Sequence, residues 1–502
     1  MSNAKRSHGE GKHYLGLDFG TSNSYCCLTS EGFLSATPVM IDGKTSISTA
    51  ILLETTDTGD ERVVAFGDRA VEEWGLRTPA ERKNSRISTM FKPDLGRSEQ
   101  ARLDSELFLN TLMDYIASQG LLPPVTNRNA INTIIGIPAV QAEGFLNNLL
   151  EIAQRVNLGK VTTTPEPVGA LINHVATRND ISPGDARRGV LVVDFGGGTC
   201  DVAYMLRLEV KDAWGDASLG GRLFDDLFYQ WFLDKNPKAR KLLKKTQDEY
   251  YIHWILCKEM KERFSVTMDR DRNAAFTHHI HVADTYYGGL NKVTWQEFLV
   301  RASNYRPCDT LRKLLDENFG IDYLTGSGGY HLIDWFKGVV SKGISESRIG
   351  QDEVQYAILT GGSSSWPFVR DVICDLLKLD PGKVFYSANP MTAVGEGIAL
   401  LPVIQGMHGQ ARIKIRQQRD SKINEMMLRI DKLAGEFAET MADEVVEVLV
   451  NDEMRKILSD FSRNGGTLRE LQQKISETVG RRSGECESVI QGRESEIMAA
   501  VN

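Results

Sequence analysis

Two aspartate-led glycine turns carry the residues best suited to chemistry. In GVLVVDFGGGTCDVA (residues 189–203) an apolar run from Val190 to Val193 ends on Asp194, passes Gly196, Gly197, Gly198 and Thr199, and resumes at Asp201. The run is short, β-branched and bounded by glycine, which predicts a buried strand. The glycines can take φ > 0 and let backbone amides approach an anion. Asp194 and Asp201, at the two ends of the turn, are of the residue type that holds a hydrated divalent cation. Alone, the stretch reads by default as an ordinary hairpin with a glycine turn. It has a second copy, however: YLGLDFGTSNSYCCL (14–28) repeats strand, Asp18-Phe19-Gly20-Thr21-Ser22 and return strand. Two such turns predict similar halves facing each other across a cleft, gripping a polyphosphate and its metal from both sides.

The rest of the chain must position these turns. At 502 residues it exceeds one core and divides into two or more domains. A net charge of −8 argues against a nucleic-acid partner, which needs a clustered basic surface. No apolar run approaches the ~18 residues of a membrane span. Residues 1–12, MSNAKRSHGEGK, lack the apolar core of a signal peptide and read as a disordered leader. The seven cysteines are scattered without zinc-ligand spacing, as in reduced cytoplasmic proteins.

Residues 33–67 alternate apolar runs with turns, predicting a small β-rich unit, and 68–118 read as helical and charged. Lys92 falls in a loop, where a lysine is ordinarily a solvated surface group. Residues 130–138 predict a buried strand and Phe145–Val156 an amphipathic helix. Glu166, in TTTPEPVGALINH, sits before a helix expected near Val168, where an acid ordinarily compensates the helix dipole. Gly220-Gly221 precede another helix, either offering free amides to phosphate or forming a plain loop. Residues 238–264 read as one helix, with Lys258, Lys261 and Arg263 as its solvated face. A small β unit and a helix follow over 274–298. YAILTGGSSSWP supplies a third strand and a third glycine turn, Gly361-Gly362, whose Ser363, Ser364 and Ser365 either cap a helix or contact a ligand. Asn389-Pro390 then lead into a small-residue helix.

Beyond Pro402 the composition changes. Gly406, Gly409 and RIKIRQQR suggest a linker. From Ser421, Ile423, Met426, Ile430, Leu433, Phe437, Met441, Val445 and Val448 recur at steps of three and four, which predicts a long amphipathic helix. Gly465-Gly466 break it, and Thr467 is the expected N-cap of a second helix through Val479. The apolar stripe is read as packing against a neighbouring helix in preference to a docking face.

Taken in order, these segments resemble the ATPase domain of the 70-kilodalton heat-shock chaperones, the DnaK-like branch of the actin and sugar-kinase superfamily. LGLDFGTSNS and VVDFGGGTCDVA are similar to its two phosphate loops, and TTTPEPVGALI and NPMTAVGEGIAL to its two connecting segments. GDASLGGRLFDD resembles the family's Gly-Asp-x-x-Leu-Gly-Gly-x-x-Phe-Asp run, and ILTGGSSSWP its adenosine loop. The resemblance implies an α/β, actin-like ATPase fold: two lobes of duplicated α/β subdomains around a nucleotide cleft, plus a C-terminal helical appendage. Lobe I would span 13–188 with an insert at about 33–104, lobe II 189–402 with an insert at about 222–310, and the linker and appendage 403–502.

By position the resemblance implies that Asp18, Asp194 and Asp201 hold Mg²⁺ through waters. Thr21, Ser22 and the amides of residues 196–199 would cradle the β- and γ-phosphates, beside Gly20, Gly220 and Gly221. Lys92 would steady the transferring phosphoryl group, against its reading as a surface lysine, while Glu166 and Asp194 orient the attacking water near Thr199. Lys261, Ser265, Gly361, Gly362 and Ser363 match adenosine-contact positions. Three positions depart from the family pattern: Lys258 replaces a glutamate, Ser365 an arginine and Met391 an acidic residue. Beyond Pro402 neither an acidic-hydrophobic linker nor the run of strands of a client-binding β-sandwich is found. The implied activity is slow hydrolysis of ATP to ADP and phosphate by a chaperone-like cytoplasmic protein. Its lobes would close on Mg-ATP and signal to the helical region, with a J-domain-type co-chaperone, a nucleotide-exchange factor or a client as partners. The alternatives are a nucleotide-gated actin-like scaffold or filament protein and, below that, a small-molecule kinase.

Overall fold

A computed structural model describes residues 12–501 apart from 79, 121–130, 140, 142, 179, 183, 208, 316–322, 324, 327, 347–348, 351–352 and 451. The expected leader lies, but for residue 12, outside the described residues. The chain forms two compact units, Met1–Gly406 and Met407–Asn502.

The first unit is built on two sheets that repeat one plan. In the first sheet the strand order is Thr37–Pro38, Asn23–Ser30, His13–Phe19, Ile131–Ile137, Lys160–Pro165, with Ser46–Ser48 paired to Asn23–Ser30. In the second it is Glu209–Asp216, Cys200–Leu206, Val190–Phe195, Tyr356–Thr360, Val384–Tyr386. In each sheet the strand ending in Asp-Phe runs antiparallel to its return strand and parallel to a strand from far along the chain. Asp18 thus lies opposite Tyr25, and Asp194 opposite Asp201. Val190–Phe195 is buried at every position, as expected of a strand covered on both faces.

One core lies under each sheet. The core of the second contains Trp231, Trp335 and Trp366, and that of the first Phe19 and Phe108. A third joins the two sheets, placing Ile134 of the first with Val190, Val192 and Ile358 of the second. Into this third core pack the helix Glu166–Thr177, through Ala170 and Leu171, and the helix Ala393–Leu449, through Val394 and Ile398. The two helices touch backbone to backbone at Gly169 and Gly397. A methyl group on Gly169 would lie 2.6 Å from both the Val394 carbonyl and an Ile398 methyl. Next to this crossing Glu396 accepts hydrogen bonds from Tyr25 Oη at 3.1 Å and Asn173 Nδ2 at 2.7 Å.

Two smaller sheets decorate this frame. Glu61–Phe66, Ala50–Thr55 and Ser85–Thr89 form one, with the helix Gly67–Leu76 against it. Ser85–Thr89 lies in a stretch read as helical. Its alternating Ser-Arg-Ile-Ser-Thr suits a strand, and pairing with Ala50–Thr55 fixes it there. The hairpin Phe276–Val282/Thr285–Val293 forms the other, followed by the helix Trp295–Ala302 behind a capping box of Thr294 and Glu297. The single helix expected over 238–264 is broken: Ala239–Thr246 ends at Gln247 in a left-handed conformation. Glu249–Tyr251, a π-helical turn at Ile252–Leu256 and the helix Cys257–Arg270 follow.

The expected linker after Pro402 is a further correction. Ala393–Leu449 is one helix with Pro402 inside it. The proline removes one backbone bond, but the Gln, Arg, Lys and Ile residues that follow favour helix well enough to carry on through it. In the second unit Asp452–Asn464 and Leu468–Val501 follow, the latter running past the expected end at Val479. Thr467 caps it as expected: its hydroxyl accepts from the Glu470 amide and its own amide donates to the Glu470 carboxylate. Arg481 pairs with Glu453 at 2.8 Å, and Arg482 donates to the Val448 carbonyl at 2.7 Å. No helix among the described residues is long and apolar enough to cross a membrane.

Candidate functional site

Between the two sheets lies a cavity of about 380 Å³. Its walls carry Asp18, Gly20, Thr21 and Ser22 from the first turn and Asp194, Gly196, Gly197 and Thr199 from the second. Lys92, Glu166, Lys261, Ser265, Gly361, Gly362 and Ser363 complete them. The remaining expected residues, Gly198, Asp201, Gly220 and Gly221, are not part of this lining.

The two turns meet face to face. A methyl group on Gly197 would strike the Ser22 hydroxyl, and one on Gly198 would come within 2.7 and 2.8 Å of the Thr21 methyl and hydroxyl. None of Gly20, Gly196, Gly197 and Gly198 has a positive φ. The expectation of left-handed backbone is therefore corrected: Gly20, Gly197 and Gly198 need glycine for closeness, whereas a methyl group on Gly196 would meet the Thr199 carbonyl at an ordinary 3.6 Å.

Each turn is held from behind. Thr49 donates its hydroxyl to the Gly20 carbonyl at 2.8 Å and its amide to the Ser22 carbonyl at 3.0 Å. At the second turn the Gly221 amide donates to the Gly196 carbonyl at 3.0 Å and the Arg222 amide to the Gly197 carbonyl at 2.8 Å. The amide of Gly221 is therefore engaged by protein, and the start of the helix Gly221–Lys235 braces the turn instead of facing the cavity. Ser363 adds a hydroxyl bond to the same Gly196 carbonyl at 2.8 Å.

Lys92 is buried, because Phe91 and Leu95 on either side pack into the first core and turn it inward. Its Nζ lies 2.7 Å from Glu166 Oε1, itself buried at the start of Glu166–Thr177. Burial, with Glu166 nearby, pushes the Asp18 carboxyl up to about 7, with Lys92 pulling the other way. Asp194 is held well above the usual carboxylate range by burial, then by Glu166, Asp201 and Asp18. Burial alone would lower Lys92, but Glu166 and Asp18 outweigh it and raise the ammonium. Asp201 stands behind Asp194, accepting the Ala139 amide at 2.7 Å. Crowded carboxylates around a single ammonium form a donor set that a hard divalent cation fits.

At the other end Lys261 pairs with Asp225 at 2.9 Å, both buried. A lysine read as part of a solvated face is thus turned into the cavity wall. Asp225 escaped the sequence reading, although it ends the quoted Leu-Gly-Gly-x-x-Phe-Asp motif. Ser265 donates to the Ser365 carbonyl at 3.1 Å, tying Cys257–Arg270 to the third glycine turn. Lys258, Ser365 and Met391, the three departures from the family pattern, all border the cavity. So does Trp366, stacked on Phe298 with ring centroids 4.7 Å apart.

The Hsp70 protein family matches residues 176–297. The chain is 25% identical over 399 residues to the chaperone protein DnaK of Ureaplasma urealyticum serovar 10, covering 77% of this chain and 57% of that protein. It is 24% identical over 400 residues to DnaK of Nitrosopumilus maritimus, with 77% and 55% covered. It is 22% identical over 301 residues to an HscA homolog of Haemophilus influenzae, with 58% and 39% covered. The chain thus spans about half the length of the DnaK relatives. Its mixed sheets and helices are those of the actin-like Hsp70 ATPase fold, and over most of its length the chain is similar to DnaK-type chaperones.

Proposed function

We propose that the cleft binds ATP with Mg²⁺ and slowly hydrolyses it to ADP and phosphate, as part of a chaperone-like protein. The observation that carries this reading is the meeting of the two turns, Ser22 on Gly197 and Thr21 on Gly198, over the buried Lys92–Glu166 pair. Backbone amides and hydroxyls from both sheets converge there, as a polyphosphate requires. Asp18 and Asp194, with Asp201 behind, would hold the metal, which when bound supplies positive charge to the phosphate oxygens.

Lys92 then exchanges part of its contact with Glu166 for a γ-phosphate oxygen. Glu166 and Asp194 orient a water whose oxygen bonds to the γ-phosphorus while the bridging bond to the β-phosphate breaks. One of these carboxylates takes the water proton, and the bridging oxygen leaves with ADP. Positioning and charge neutralisation supply most of the rate. Lys261, Ser265, Gly361, Gly362 and Ser363 would bind the adenosine. Lys258, Ser365, Met391 and Trp366 give this chain its own base pocket.

Closure of the lobes on Mg-ATP would act on Val394, which lines the cavity and lies at the start of a helix that continues to Leu449. The lobe boundaries at 13–188 and 189–402, and partners such as a J-domain-type co-chaperone, an exchange factor or a client, belong to the same proposal. The seven cysteines, all free, suit the reducing cytoplasm. The deciding experiment is single-turnover ATP hydrolysis with Mg²⁺ by the full chain. Slow phosphate release without an acceptor is the expected result. Nucleotide binding with no release would overturn hydrolysis, and no binding would overturn the site.

A further inference from the structure

The helix Ala393–Leu449 carries an apolar stripe that the second unit leaves largely uncovered. Ile423, Met426 and Ile430 are exposed to 49, 60 and 38%, with Met427 and Leu428 exposed beside them. Ile415 is exposed as well, while Leu433, Phe437 and Met441 are half-buried. Helix Leu468–Val501 meets this helix at its far end, where Arg482 reaches the Val448 carbonyl. Single exposed apolar residues need no explanation, but a continuous stripe at steps of three and four does.

Charge divides the same helix in two. From 413 to 432 Lys414, Arg416, Arg419, Lys422, Arg429 and Lys432 outnumber Asp420, Glu425 and Asp431. From 433 to 449 come Glu436, Glu439, Asp443, Glu444 and Glu447, with no lysine or arginine. A parallel, in-register partner would set like charge on like. An antiparallel one sets basic half on acidic half.

We propose that this helix pairs antiparallel with the same helix of a second copy of the chain, about a two-fold axis between residues 431 and 432. One register brings most of both patterns together, with Asp420 opposite Asp443 as its like-charged pair. It places Ile430 opposite Leu433, Met426 opposite Phe437 and Ile415 opposite Val448, while Ile423 falls opposite Thr440, one residue before Met441. The same register brings Arg416 to Glu447 of the other copy. It also brings Arg419, which interrupts the stripe between Ile415 and Ile423, to Glu444. The step of four from Phe437 to Met441 replaces the expected three, a local unwinding that coiled helices tolerate. Because the axis is two-fold, the interface closes on itself and assembly stops at two copies. Nothing in the nucleotide cleft enters this inference.

The test is the mass of the full chain by sedimentation equilibrium at micromolar concentration, at low salt and again at 0.5 M salt, about a fivefold shorter screening length than at 20 mM. A dimer weakened by salt is expected. Ile430→Asp, which places two carboxylates at the axis, should raise the dimer dissociation constant at least ~tenfold. Arg416→Glu with Arg419→Glu should give a monomer, as should Glu444→Arg with Glu447→Arg. Mixing these two variants should restore a dimer, since each then supplies the charge the other lost. Ile430, Arg419 and Glu444 lie in the seam, Arg416 and Glu447 beside it, and circular dichroism of each variant checks that helix is retained. A wild-type chain that stays monomeric overturns the proposal. A dimer indifferent to Ile430→Asp, reversal variants that do not recover on mixing, or assembly beyond two copies also overturns it.

Discussion

The turn at Asp18 rests on one residue from outside its own hairpin, Thr49, whose hydroxyl and amide hold the Gly20 and Ser22 carbonyls. The turn at Asp194 is braced by the first amides of a buried helix and by Ser363, which reaches from the third glycine turn. The strands behind them differ in the same sense. Val190–Phe195 is buried throughout, whereas His13–Phe19 is only half-buried at His13, Tyr14 and Asp18. Two copies of one device have thus been set into frames of different stiffness. The second turn is a fixed anvil. The first is a wall tethered by the hydroxyl and backbone amide of one residue.

The largest effect should come from removing charge on either side. Lys92→Ala and Asp194→Ala should keep the fold and lower single-turnover hydrolysis by on the order of 10²–10³-fold. Asp18→Asn should fall in the same range if both turns serve one metal. Unchanged turnover in Lys92→Ala and Asp194→Ala together would remove the site assignment.

Next in size is the contact between the turns. Gly197→Ala places a methyl group on Ser22 of the opposite wall and should weaken ATP binding by about tenfold or more in calorimetry. The Ser22→Gly companion should recover part of that loss, a non-additive result that reads the contact directly. Additive losses would mean that the walls separate when nucleotide enters.

The supports come third. Thr49→Val removes the hydroxyl that serves Gly20 and also lies 2.8 Å from Ser24. It should cost about 1–2 kcal/mol in urea unfolding. Ser363→Ala should cost less, about 1 kcal/mol, because the Gly196 carbonyl keeps the Gly221 amide. A reversed order would contradict the contrast between tethered and braced turns. Smallest is Lys258→Glu, at a half-buried edge of the cavity, which should change ATP affinity only ~two- to threefold.

Much of this site can be read from the chain, because the phosphate-type turns are local. Strand, aspartate and glycines lie within a few residues, and their chemistry travels with them. What depends on distant partners cannot be read that way. Lys92 looks like a surface lysine until Phe91 and Leu95 are seen to anchor its loop in a core, and Lys261 looks solvated until Asp225 is seen across from it. The strand Ser85–Thr89 exists because Ala50–Thr55 lies beside it. The linker after Pro402 failed for a different reason: proline and two glycines are weak evidence against a helix in a segment rich in Gln, Arg, Lys, Met, Leu, Glu and Ala.

The crossing of Glu166–Thr177 with Ala393–Leu449 has a mechanical consequence. Side chains usually interlock where helices cross, so that one can move past the other only by jumping between notches. At Gly169 and Gly397 the teeth are few: backbone meets backbone, with the Val394 carbonyl and one Ile398 methyl against Gly169. The crossing brings the two helices close enough to transmit load, with few side chains to displace when they turn by small angles. Resistance to turning falls instead on Glu396, whose two oxygens hold Tyr25 and Asn173 like a torsion spring clipped across the pivot.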